Sequence, residues 1–190
     1  MKVQLSMKSV TPLLMHNVQM ANPLNPTVRQ MKEITSKRKK TDKDFEEIAK
    51  LEFAGSLYFD AELGPVLPGE NIARAIGDGA KLTRQGMAVK RALIVEDLAV
   101  PLIYQGPREI ELMWAAGGFV DMQMVRVSTA KVMRTRPIFR HWACEAVLLV
   151  DENQLSLSSL RAIVNDAGSK CGIGDYRPRY GRFEAEVVEL

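Results

Sequence analysis

The chain has little from which to build a redox or metal site. Its 190 residues include only two cysteines, Cys144 and Cys171, and two histidines, His16 and His141. The cysteines lie far apart without metal-ligand spacing, so free, reduced thiols are expected and a disulfide framework or zinc site is not. No apolar run approaches the length of a membrane span, and the N-terminus opens on an alternating segment instead of a signal-type apolar core. Carboxylates do not gather into a metal-holding set, and neither internal repeats nor low-complexity tracts are visible. The expectation is a cytoplasmic protein with no cofactor, no metal and no membrane partner.

What is present is globular in composition: 46% hydrophobic and 26% charged residues, enough for one domain with a good core. The net charge of +3 says little, but its distribution says more. Between Arg29 and Lys40 stand six basic residues (Arg29, Lys32, Lys37, Arg38, Lys39, Lys40) against one acid, Glu33. Between Arg126 and Arg140 stand five (Arg126, Lys131, Arg134, Arg136, Arg140) and no acid. Such stretches suit a polyanion, although a run like Lys37–Lys40 is more commonly a solvated helix face or mobile arm.

Taken in order, Val3, Leu5 and Met7 alternate with polar residues, predicting a strand over Lys2–Val10 that Pro12 interrupts. Asn22-Pro23 and Asn25-Pro26 mark turns. Thr27–Lys50 is polar and partly helical, anchored by Met31, Ile34, Phe45 and Ile48. A short hairpin around Gly64-Pro65 is expected next, then a helix opened by Leu67-Pro68-Gly69-Glu70 with Asn71 as its cap and a possible break at Gly77 or Gly79. Ile110–Trp114, Val120–Ser128 and Phe139–Val150 read as strands, the second with Met122, Met124 and Arg126 on one face. Leu155–Ala167 reads as a helix stopped by Gly168, and Phe183–Leu190 as a final strand. This order fits an α+β, ferredoxin-like fold in a single domain spanning 1–190, with 22–67 inserted into the core.

One stretch is unusual. Gly172-Ile173-Gly174-Asp175-Tyr176-Arg177-Pro178-Arg179-Tyr180-Gly181-Arg182-Phe183 packs three glycines, three arginines and three aromatics between the last helix and the last strand. Glycine allows close backbone approach, arginine offers forked donors for phosphate, and tyrosine offers a stacking face. A structural turn with solvated arginines is the plainer alternative.

Three landmarks resemble the RAMP superfamily, the RNA-binding proteins of CRISPR systems. They are the strand running into Val10-Thr11-Pro12-Leu13-Leu14-Met15-His16, the segment Leu67-Pro68-Gly69-Glu70-Asn71-Ile72-Ala73-Arg74-Ala75-Ile76, and the glycine stretch itself. The second is similar to the Pro-Gly-Ser-Ser-hydrophobic-Lys-Gly-Ala start of the family's first helix, but departs from it at Glu70 and Asn71. Asp78 also stands where a second basic residue would be expected. The resemblance is greatest to the backbone subunits of CRISPR effector complexes, and implies a modified RNA-recognition fold with a thumb-like insertion. It further implies single-stranded guide RNA as ligand and other subunits, including copies of the same chain, as partners. On that basis the candidate RNA-binding residues are Arg29, Lys37, Arg38, Lys39, Lys40, Arg74, Arg134, Arg136 and Arg140, together with Gly172, Gly174, Tyr176, Arg177, Arg179, Tyr180, Gly181 and Arg182 of the loop.

Other members of that superfamily cut RNA, so a metal-independent endoribonuclease is an alternative, with His16 and His141 as its only candidate proton carriers. Asp42 and Asp44, the aspartates of the insertion, adjoin lysines and read as charge balance on a helix. A third reading is a protein-interaction subunit that mimics or caps an effector complex. Binding without catalysis is the expectation favoured by these residues.

Overall fold

The computed structural model describes residues 1–127 and 129–190. Ser128, read above as the end of a strand, lies outside the described residues, as do the side chains of Val127 and Ala130. In chain order the elements begin with β1 (Lys2–Ser9), β2 (Leu13–Leu14), α1 (Pro26–Thr35), α2 (Asp42–Ser56), β3 (Phe59–Asp60), β4 (Gly64–Pro68), α3 (Gly69–Lys81) and α4 (Gly86–Ala92). They continue with β5 (Leu93–Val95), β6 (Ala99–Pro101), α5 (Ile110–Ala116), β7 (Val120–Val127), β8 (Ala130–Phe139), β9 (Ala143–Val150), α6 (Leu157–Asp166) and β10 (Phe183–Glu189).

The chain divides into two compact units. The first comprises Met1–Leu14, Phe59–Gln105 and Phe139–Leu190. Its four-stranded sheet has the order β10-β1-β9-β5, with every neighbouring pair antiparallel. With α3 between β1 and β5 and α6 between β9 and β10, the path is β-α-β-β-α-β. This is the ferredoxin-like arrangement, and the protein is α+β.

The alternation in β1 is what fixes the register. Val3, Leu5 and Met7 are buried while Gln4, Ser6 and Lys8 turn to the other face; Leu5 lies opposite both Ala146 and Val187. A slip of one residue would invert every one of these positions. On α3 the buried residues Ile72, Ala75, Ile76, Gly79 and Ala80 follow helical spacing, and on α6 Leu160, Ile163 and Val164 do the same. Burying each such Leu or Ile is worth roughly 1.5–3 kcal/mol. Gly79 lets the two helices touch: a Cβ there would come within 2.6 Å of the Ile163 carbonyl oxygen and 2.7 Å of the Ala167 nitrogen.

Several expectations are corrected here. The helix α3 starts at Gly69 without a side-chain cap, so Asn71 lies inside its first turn, and packing carries it through Gly77 and Gly79 without a break. The hairpin β3–β4 turns at Asp60–Leu63, where Asp60 Oδ1 accepts the Glu62 and Leu63 amides, while Gly64 and Pro65 belong to β4. The expected strand Phe139–Val150 is interrupted at Arg140–Trp142, between β8 and β9. At the end of α6, Gly168 does not stop the chain's winding: a π turn runs over Ala167–Cys171, with Gly168 pressed against Phe183.

The second unit comprises Met15–Tyr58 and Gly106–Ile138. Asn25 caps α1, with Pro26 next to it, and Thr41 and Asp44 form a reciprocal capping box at the start of α2. Ile110–Trp114 is helical instead of extended, because Ile110, Met113 and Trp114 fall on one face and Gly117 closes the helix in the left-handed conformation. Trp114 packs on Phe53 with ring centroids 5.6 Å apart. The hairpin β7–β8 pairs Val120 with Pro137 through Val127 with Ala130. Among the described residues no helix is long and apolar enough to cross a membrane.

Candidate nucleic-acid interface

The glycine stretch is a built loop in the first unit, tied to the segment that leaves β1. Gly181 donates its amide to the Pro12 carbonyl at 2.7 Å, Asp175 donates to Leu14 at 2.8 Å, and Ile173 donates to Gly181 at 2.8 Å. The Arg182 amide donates to Thr11 Oγ1 at 2.9 Å, and the Arg182 carbonyl accepts from Val10 and Thr11. Two landmarks far apart in sequence therefore form one backbone network. Gly172, Gly174 and Gly181 all have positive φ, at 74°, 85° and 73°. A Cβ on Gly181 would lie 1.7 Å from the Ile173 carbonyl oxygen, and one on Gly174 2.5 Å from that of Leu14. Only glycine fits at these positions.

Trp142 supports the loop from beneath. Its indole Nε1 donates to the Thr11 carbonyl at 3.1 Å, and its ring meets Phe183 edge-on at 6.2 Å. Phe183 and Trp142 are both buried.

The third landmark closes the site. Arg74 and Asp78, one turn apart on α3, line an open cleft of about 500 Å³ with Lys170, Cys171, Gly174, Asp175, Tyr176, Arg177 and Pro178. Arg177 Nη1 donates to Asp78 Oδ2 at 3.0 Å and to the Gly172 carbonyl at 3.3 Å. Burial is the largest influence on Asp78 and opposes its ionisation, but hydrogen bonds from Lys81 and Arg177 outweigh it and hold the carboxyl below its usual range. Burial, and then the Asp78 charge, push the Cys171 thiol up. Tyr176 takes a left-handed backbone at φ 54° and is 52% exposed; its ring lies 5.8 Å from that of Tyr180 at 35°. Of the two rings that of Tyr176 is exposed, while Tyr180 is half-buried.

Of the residues singled out from the sequence, Arg74, Gly174, Tyr176 and Arg177 meet at this cleft, and Gly172 accepts from Arg177. Arg179 is exposed at the loop tip, and Arg182 Nε donates back to the Pro178 carbonyl at 2.9 Å. Asp78 and Lys170 were not among the candidates. Their signal was their position: Asp78 follows Arg74 at helical i+4 spacing, and Lys170 immediately precedes the glycine stretch.

Arg140 and His141 are exposed in the turn between β8 and β9.

The remaining candidates belong to the second unit. Arg29, Arg38 and Lys39 are exposed. Lys37 pairs with Asp44, and Lys40 donates to the Lys37 carbonyl at 3.0 Å. The Lys37 hydrogen bond, followed by those from Thr41, lowers the Asp44 carboxyl to about 2. Arg134 Nη1 donates to Glu52 Oε1 at 2.7 Å, while Glu52 Oε2 accepts the Thr135 amide at 2.8 Å. Glu52 is buried, so Arg134 is first a structural counter-ion. Arg136 faces Asp121 across the β7–β8 register. His16 Nδ1 lies 3.3 Å from the buried Ser56 hydroxyl. Among the described residues no three His, Cys, Asp or Glu side chains gather to hold a metal ion.

The sheet face opposite the helices differs from that of RNA-recognition domains, which stack bases on sheet aromatics. It presents Lys2, Gln4, Ser6 and Lys8 from β1, Glu145, Val147 and Leu149 from β9, and Glu184, Glu186 and Val188 from β10. Three glutamates against two lysines, with no aromatic in these strands' outward positions, make it a poor surface for a polyanion.

No family model matches the chain, and no curated protein matches its sequence. In structure it is similar to a chain of the Type III-B Cmr-beta bound to cognate target RNA, solved by cryo-electron microscopy, with a TM-score of 0.50 and 10% identity. The likeness is one of fold. It covers 99% of this chain and 60% of the other, so this chain spans three-fifths of its neighbour's length.

Proposed function

We propose that this protein is a non-catalytic subunit of a CRISPR-type ribonucleoprotein that binds single-stranded guide RNA at the cleft between α3 and the glycine loop. In this reading it repeats along the RNA beside copies of itself and other subunits, in the cytoplasm. The observation that carries the proposal is the convergence of Pro12–Leu14, α3 and the glycine loop on one site that offers Arg74, Lys170, Arg177 and the exposed ring of Tyr176. The fold it shares with a chain of an RNA-bound Cmr-beta complex supports the same reading.

The division of labour is that of single-strand binders. Cations neutralise phosphates and release counterions, and an aromatic face accepts unpaired bases without regard to sequence. Fluorescence anisotropy with labelled single-stranded RNA, duplex RNA and single-stranded DNA tests it. Binding is expected to be strongest for single-stranded RNA, to fall with salt, and to weaken in Arg74→Ala. Equal binding by Arg74→Ala and parent at low salt would move the RNA away from this cleft.

A further inference from the structure

One ion pair at the cleft is at odds with simple electrostatics. A carboxylate beside a polyanion repels it, yet Asp78 lines the cleft. Its two oxygens are engaged: Oδ1 accepts from Lys81 Nζ at 2.7 Å and Oδ2 from Arg177 Nη1 at 3.0 Å. The second proton of Nη1 goes to the Gly172 carbonyl. Among the described residues Arg177 makes its hydrogen bonds through Nη1 alone, so Nε and Nη2 remain for a ligand, and Arg177 lines the same cleft. A guanidinium is a rigid planar fork. Held at one nitrogen by two partners, it presents its other edge in a set plane, which matches two oxygens of one phosphate. The rotamer freedom a loose arginine would lose on binding is already lost.

We propose that Asp78 is a positioning residue: it pins Arg177 so that the free edge of the guanidinium grips one phosphodiester of a single-stranded RNA in the cleft. The proposal rests on the RNA-binding reading above. The adjoining Tyr176, held outward by its left-handed backbone, then meets the neighbouring base.

The sign of one substitution decides it. Asp78→Asn removes a negative charge at nearly constant shape, so a purely electrostatic role predicts tighter RNA binding. The positioning role predicts weaker binding, by about tenfold, from the loss of one charge-assisted phosphate contact. Affinity for a labelled oligouridylate is read by anisotropy across a salt series. The slope of log affinity against log salt should drop by about 0.7, as for Arg177→Ala, because one phosphate contact is lost. Asp78→Asn combined with Arg177→Ala should bind no more weakly than Arg177→Ala alone. Parent-like or tighter binding by Asp78→Asn overturns the proposal, as does a lowered thermal midpoint with unchanged affinity. Should Asp78→Asn fail to fold, Arg177→Lys carries the test, since an ammonium cannot bridge Asp78 and Gly172 while forking a phosphate; parent-like affinity there overturns it too. A parent protein that binds no RNA removes the RNA reading and this proposal together, whereas RNA binding unaffected by Asp78→Asn removes this proposal alone.

Discussion

Gly181 gives its amide hydrogen to the carbonyl of Pro12 at 2.7 Å, joining the loop before the last strand to the segment after the first. Gly181 has no room for a side chain: a Cβ would lie 1.7 Å from the Ile173 carbonyl oxygen, and φ is 73°. Gly181→Ala is therefore expected to destabilise the protein by about 2–4 kcal/mol in urea unfolding and to weaken RNA binding. Gly77→Ala is the control. A Cβ at Gly77 meets nothing within 4 Å, so helix propensity alone operates and a gain of about 0.5–1 kcal/mol is expected.

In the second unit, Arg134→Ala removes the charged partner of the buried Glu52 carboxylate and leaves it the Thr135 amide. Removing one partner of a buried pair is costly, but Arg134 is itself partly exposed, which moderates the loss to about 2–3 kcal/mol. Urea midpoints of Arg134→Ala and Glu52→Gln/Arg134→Ala check this. The double variant, with no uncompensated charge, should regain part of the loss.

Acid should unfasten the start of α2. The Asp44 carboxyl is lowered from 3.8 to about 2 by Lys37 and Thr41, so the folded state holds the ionised form more strongly than the unfolded state does. Its contribution is fully present above pH 3.8 and is lost as pH falls through about 2. The difference in thermal midpoint between parent and Asp44→Asn is expected to be constant near neutrality and to shrink below pH 3.8. A difference that does not change across that window would assign the effect of Asp44 to its shape and not to its charge.

The loop and the open sheet face should separate in binding. Tyr176→Ala is expected to weaken single-stranded RNA binding by about 1–3 kcal/mol, the value of one stacked base. Glu184→Gln/Glu186→Gln should leave affinity unchanged or raise it slightly, because that face carries acids and no aromatic. Loss of binding in the glutamine variant would place the RNA on the sheet.

Much of the fold was legible because its determinants are local. The alternation of Val3, Leu5 and Met7 and the spacing of Leu160, Ile163 and Val164 reflect a single buried face each. Ile110–Trp114 misled because a short apolar run fits either period, and Gly117 decides it only through its left-handed closure. The glycine loop was visible as composition, but its network with Pro12 and Leu14 was not, since those bonds run between backbone groups distant in the chain. In the sequence Asp78 shows only its i+4 spacing from Arg74 and a departure from the pattern of the superfamily that the segment resembles. Its partner Arg177 is 99 residues away, and no spacing rule links them.

The central claim is that the chain holds single-stranded RNA, and the most direct measurement is of what accompanies it through purification. Absorbance and sequencing of nucleic acid released from the purified protein should reveal RNA of defined length, reduced in Arg74→Ala and Tyr176→Ala. A protein free of nucleic acid that co-purifies instead with another polypeptide, and gives no anisotropy change with single-stranded RNA at low salt, would contradict the account.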